Sequence, residues 1–124
     1  MKKDEEKAEN IQKRAFNFAC RVVRLYQFLI KKDRTNETLC RQLVRSGTSV
    51  GANLEEANAA QSRADFISKC HIALKEARES YYWLRLFRAT GIVQDSQLSD
   101  LIKEANEIVS IITVIVKNSK LKKT

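Results

Sequence analysis

Four groups of side chains in this sequence have types and spacings that invite a chemical reading. His71 is the one histidine and adjoins Cys70, one of three cysteines. A metal held by this pair would need further ligands from elsewhere, because adjacent helical residues point about 100° apart. No C-x-x-C or H-x-x-x-H spacing supplies them. The pair therefore reads as a thiol beside a polar-face histidine, and no metal or other cofactor is expected. The serines around Gly47 have no plausible base in sequence reach, and no glycine-rich phosphate loop follows a strand, so nucleophilic or phosphate-loop chemistry is not supported. No catalytic residue is assigned, and the chain is expected not to be an enzyme.

The carboxylates Glu55, Glu56, Glu76 and Glu79, with Asp65, form the third group. Glu76 and Glu79 stand one turn apart and could face Glu55 or Glu56 across a helix pair, as in a di-metal centre. Such centres add Glu-x-x-His pairs, which are missing from this sequence. Ion pairing to Arg41, Arg45, Lys69 or Lys75 is the better use of these acids, so Glu55, Glu56, Glu76, Glu79, Arg41 and Arg45 are expected in structural ion pairs or an interface.

The fourth group is basic. His71, Lys75, Arg78, Tyr82 and Arg85 recur at threes and fours, placing cations and one aromatic ring along a single helical edge. That is a track suited to phosphates and an unpaired base. Arg14, Arg21 and Arg24 form a comparable line, and Arg41 with Arg45 a third. The candidate nucleic-acid contacts are Lys75, Arg78, Tyr82 and Arg85, supported by Arg21 and Arg24. The competing reading is a solvated face laced with intrahelical pairs.

The elements that must carry these residues are helices. The chain has 124 residues, no proline and three glycines, so turn-rich strand architectures are poorly supported. Its length suits one domain over 1–124. In helix one, Ile11, Ala15, Phe18, Val22, Leu25 and Leu29 form a seam, and Phe16, Ala19, Val23, Tyr26 and Ile30 run beside it. In helix two, Leu39, Leu43, Val50, Leu54 and Ala57 point inward, and Gly47 and Gly51 make a thin strip for close helix approach or a bend. Thr35 or Asn36 can cap it.

Ser62 with Asp65 starts helix three, whose seam is Ile67, Cys70, Leu74, Ala77, Tyr81 and Leu84, and Gly91 ends it. Helix four follows Asp95 or Ser96 with Leu98, Leu101, Ala105, Ile108, Ile112 and Ile115. A further stripe of Ile102, Val109 and Val116, with Ile111 and Val114, makes its second half apolar all round and points to a homo-oligomer. The expected fold is an all-α, antiparallel up-and-down four-helix bundle, with helices at about 8–32, 37–60, 63–90 and 96–118.

Lys and Arg outnumber Asp and Glu by 23 to 15, a net charge of +8 that favours anionic partners. Four of these cations, Lys117, Lys120, Lys122 and Lys123, fall at the end, where 119–124 is expected to be a flexible basic tail. Cys20, Cys40 and Cys70 read as reduced thiols of a cytoplasmic protein. The N-terminus lacks a signal peptide's apolar run and no stretch is long enough to span a bilayer, so no membrane partner is expected.

The segment SVGANLEEANAAQSRADFISKCHIALKEARESYYWLRLF, followed by a glycine turn and a hydrophobic helix, resembles the family of 23S rRNA-intervening sequence proteins. Glu55, Glu56 and Ala57, then Arg63, Asp65 and Phe66, fall where that family's pattern puts them. So do Ala73, Leu74, Lys75, Glu76, Glu79, Tyr82, Trp83 and Leu84. The resemblance implies a four-helix bundle assembling as a ring-like homopentamer, associated with insertions in large-subunit ribosomal RNA genes. It also implies kinship with the accessory subunit of diversity-generating retroelements, which binds nucleic acid and a reverse transcriptase. The function expected is electrostatic, weakly sequence-specific binding of RNA or DNA. The alternative is an oligomeric protein-interaction scaffold with no nucleic-acid contact.

Overall fold

The computed structural model describes residues 2–121, with side chains described over 10–121. Its elements are α1 (Lys2–Lys32), a single 3-10 turn (Arg34–Asn36), α2 (Glu37–Asn58), α3 (Arg63–Thr90) and α4 (Asp95–Leu121). Each helix packs against the two next to it in a ring of four, and no diagonal pair meets, with α1 and α4 making the loosest of the four contacts. With short connections this gives an antiparallel four-helix bundle.

The helix limits differ from expectation at three ends. α1 is already helical at Lys2 rather than near residue 8, consistent with the strong helix formers Lys, Glu and Ala there. α2 stops at Asn58 rather than 60. α4 runs to Leu121, because nothing in its last two turns is a glycine or proline that would stop it. Lys117 and Lys120 therefore belong to a helix and not to a tail; residues 122–124 of the expected tail lie outside the described residues.

Local signals set the other boundaries. The Ser62 hydroxyl accepts from the Asp65 N–H at 3.1 Å, the N-cap bond that starts α3. Gly91 ends it in the left-handed region at φ 73°, a conformation that costs glycine little. Asn36 occupies the N-cap position of α2, as one of the two expected candidates, but makes no side-chain cap bond. Asp33 does the capping one turn earlier, accepting from the Thr35 N–H at 2.9 Å, and the 3-10 turn then runs straight into α2. That bond holds the Asp33 carboxyl below the usual carboxylate range.

Seam residues from all four helices fill the core, with Phe18, Val22, Val50, Leu84, Leu98 and Ile112 almost fully buried. Leu25, Leu39, Ile67, Tyr81 and Ile115, expected inward, are only half-buried. Phe87, Ile102 and Val116 lie in the core as well. The apolar surplus on α4 is therefore smaller than the pattern suggests, since the bundle's own helices cover two of its three further positions. Val114 stays exposed, and on α1 Phe16 stays exposed.

The small-residue strip of α2 is a two-sided contact. Toward α1, a Cβ added at Gly47 would stand 3.0 Å from Val22 Cγ1, and one at Gly51 3.5 Å from the Ala15 carbonyl carbon. Toward α3, Ser46 is fully buried against Ser80, whose hydroxyl donates to Ser46 Oγ at 2.9 Å, while Ser46 donates to the Leu43 carbonyl at 3.3 Å. Close approach, and not a bend, is what the glycines provide.

Candidate nucleic-acid interface

The charge on α3 and α4 is sorted by flank. On the side of α3 that meets α2, Arg45 reaches across to Glu76 at 3.3 Å and to Glu79. Glu79 also accepts from the Trp83 indole N–H at 3.0 Å. About two turns of α3 toward the α2–α3 connection, Lys69 stands 3.8 Å from Glu56. Arg41 pairs within its own helix with Glu37 at 3.4 Å, and Glu55 has no ion-pair partner among the described residues.

On the side of α4 that meets α1, Arg14 makes a forked bond to Glu104, with distances of 3.0 and 2.7 Å, and a further bond to Glu107 at 2.8 Å. These bonds, Glu104's first, raise the Arg14 pKa above its already high ordinary value. Arg21 continues the seam, 3.0 Å from Asp100. Ion pairs thus stitch the loosest helix contact of the bundle, each worth little at this exposure.

Helical geometry places what is left. At about 100° per residue, Arg78, Tyr82 and Arg85 lie roughly opposite Glu76 and Ser80 around α3, on the flank away from α2, while Lys75 stands at the edge of that flank, about 40° from Glu79. On α4, Asn106, Ser110 and Lys117 are turned away from Glu104, while Lys103 stands about 40° around the helix from Glu107, one turn on. All eight side chains are exposed. Asp95, the first residue of α4, stands on this flank and faces Arg88 at 3.7 Å, and Glu79 and Glu107 border it beside Lys75 and Lys103. The result is a cationic lane along the α3–α4 groove, about 20 Å long at 1.5 Å per residue from Lys103 to Lys117.

The lane contains four of the six residues expected to touch nucleic acid, Lys75, Arg78, Tyr82 and Arg85, together with His71. Lys75 and Arg78 have no acid partner among the described residues. Arg85 lies over the Tyr81 ring, 4.5 Å from its centroid. Arg21 and Arg24 are not brought to it: Arg21 faces Asp100, and Arg24 is on the outer side of α1. The lane residues that the sequence reading missed are Lys103 and Lys117, with Lys120 beyond them. The three- and four-residue spacing of Lys103 to Asp100 and Glu107 hid it, and only the pairing of those acids with Arg21 and Arg14 shows that this lysine is left without an ion-pair partner among the described residues.

Nothing else in the described residues gathers reactive groups. No set of three or more His, Cys, Asp or Glu is placed to hold a metal ion. The three cysteines are free, Cys40 and Cys70 are buried, and burial pushes the Cys70 thiol up to about 11. No helix of the described residues is long and apolar enough to cross a membrane.

Comparison with known proteins bears on this arrangement. No curated protein matches the chain. A crystal structure from Bacteroides thetaiotaomicron, of a protein of unknown function from the S23 ribosomal protein family, is similar at 42% identity and a TM-score of 0.82, covering 90% of this chain and 98% of that one. The model of the 23S rRNA-intervening sequence proteins matches residues 7–114. The chain belongs to the 23S rRNA-intervening sequence protein family.

Proposed function

We propose that this protein binds RNA or DNA through the α3–α4 lane, without strong sequence preference, as a ring-like homopentamer that repeats the lane around the assembly. The observation that carries the reading is the sorting of charge. Glu76, Glu79, Asp100, Glu104 and Glu107 are all paired with arginines of α1 or α2, which leaves Lys75, Arg78, Lys103 and Lys117 exposed and without an ion-pair partner among the described residues. Cations spaced along a groove, with hydrogen-bonding Asn106 and Ser110 between them, suit a phosphate backbone.

Self-assembly is supported by the apolar side chains that the single bundle leaves uncovered, above all Phe16, which is 59% exposed on α1. Repetition around a ring would convert several weak lanes into one strong binding surface.

The test is retention of a mixed-sequence RNA pool on the purified protein across a salt series, with the mass of the particle measured by light scattering. Four phosphate contacts to a single strand predict roughly a fiftyfold loss of affinity between about 50 and 200 mM salt. Affinity that stays flat over that range, or no retention at micromolar protein, contradicts the reading. A mass of one chain contradicts the assembly.

A further inference from the structure

The α3–α4 lane holds one side chain that phosphate binding alone does not explain. Tyr82 is 50% exposed, with Arg78 four residues before it and Arg85 three after, so a cation stands about one helical turn, roughly 5 Å, to either side. An aromatic ring among exposed cations gains nothing from the core, and a lysine or glutamine would serve a phosphate track as well.

Its ring is also held. Tyr82 meets Trp83 edge-on, with centroids 5.2 Å apart and planes at 70°. Trp83 is fixed in turn by donating to Glu79 Oε2 at 3.0 Å, and Glu79 is fixed by Arg45 of α2. A chain of contacts across the neighbouring helix therefore orients a half-exposed ring inside the lane. Arg85 is itself restrained by the Tyr81 ring at 4.5 Å.

Resting on the function proposed above, we infer that Tyr82 is a stacking platform for an unpaired base, which makes the lane selective for single-stranded nucleic acid over duplex. In a duplex each base face is already covered by its neighbours, and the ring finds no partner. In a single strand a base can turn onto Tyr82 while Arg78 and Arg85 take the phosphates on either side. Such stacking is tolerant of sequence, because every base offers a π-face. The preference is for strandedness, not for a particular base.

The experiment is fluorescence anisotropy of a labelled mixed-sequence oligonucleotide, alone and annealed to its complement, with the full chain, with Tyr82→Ala and with Tyr82→Phe. Vesicles of anionic phospholipid serve as a second polyanion. The expected result is tighter binding of the single strand, about a tenfold loss with Tyr82→Ala on that probe alone, and recovery with Tyr82→Phe. The slope of affinity against salt should not change with Tyr82→Ala, since no cation is lost. Equal binding of both strand forms, or no effect of Tyr82→Ala, overturns the stacking role and leaves electrostatic binding standing. Binding to vesicles without binding to either oligonucleotide, or to no probe at all, overturns both.

Discussion

Gly47 of α2 lies directly beneath Val22 of α1, so close that a methyl group at position 47 would stand 3.0 Å from Val22 Cγ1 and 3.1 Å from Cγ2. Val22 is fully buried and β-branched, with one strongly preferred rotamer in a helix, so it cannot swing aside. Gly51, one turn on, meets Ala15 at ordinary contact distances of 3.5 to 3.6 Å. The two glycines therefore have opposite expectations. Gly51→Ala should stabilise the fold by up to about 1 kcal/mol through helix propensity. Gly47→Ala should lose about 1 kcal/mol, the overpacking exceeding the same propensity gain. Urea denaturation of both variants checks this, and Val22→Ala combined with Gly47→Ala should recover part of the second loss through the coupling of the pair.

Ser46 and Ser80 form a buried polar contact between α2 and α3, and each also has a carbonyl of its own helix within reach, Leu43 for Ser46 and Glu76 for Ser80. Removing one hydroxyl leaves the other satisfied locally. Ser80→Ala should therefore cost only about 0.5–1 kcal/mol, and the double replacement with Ser46→Ala should cost little more. Ser80→Leu, which overfills the same contact, should cost about 1–3 kcal/mol. Thermal melts of the three variants distinguish a hydrogen bond from a packing constraint.

The cysteines should react in an order set by burial. Cys20 is half-buried, whereas Cys40 and Cys70 are buried with their thiols pushed up, Cys40 by burial first and then by the Glu37 charge. A thiol-exchange reagent at pH 8 should label one site quickly and the other two only on unfolding. The pH dependence follows in sign. The Cys70 thiol keeps its proton in the folded state up to about 11, against an ordinary value of 9.0. The unfolded chain gives up that proton first, so stability should fall as pH rises through this interval and should be unaffected by Cys70 below it. Cys70→Ala should remove that component of the alkaline decline.

Much of the fold was legible because its punctuation is local. The Ser62 hydroxyl and Gly91 each act within one turn of their own position, and the seams of α1 and α4 follow a period that a sequence displays directly. The end of α4 was not legible, since a helix without a glycine or proline stop is ended by packing, which is not local. For the same reason the apolar stripe of α4 could not be divided beforehand between core and surface. Ile102 and Val116 went inward because α1 and α3 cover a broad arc of that helix.

The candidate site was half legible. Lys75, Arg78, Tyr82 and Arg85 share one helix, so their spacing alone puts them on one edge. Lys103 is left unpaired only because Arg14 and Arg21 draw Glu107 and Asp100, and Lys117 joins through its place on α4. Which flank of α4 faces α3 is a tertiary fact. Arg21 shows the converse: it has the right charge and spacing, but α4 supplies it with an acid.

The central claim is that one flank, and not net charge, binds nucleic acid. It is tested most directly by neutralising equal charge in two places. One variant carries Lys75→Gln, Arg78→Gln and Lys103→Gln, and the other carries Lys13→Gln, Lys31→Gln and Lys32→Gln on exposed positions of α1. The quantity to measure is the slope of log affinity for a single-stranded oligonucleotide against log salt. The α3–α4 variant should bind more weakly, with its slope reduced by about 2, while the α1 variant keeps the parent slope. Equal reductions in the two variants, or an unchanged slope in the first, would contradict the account.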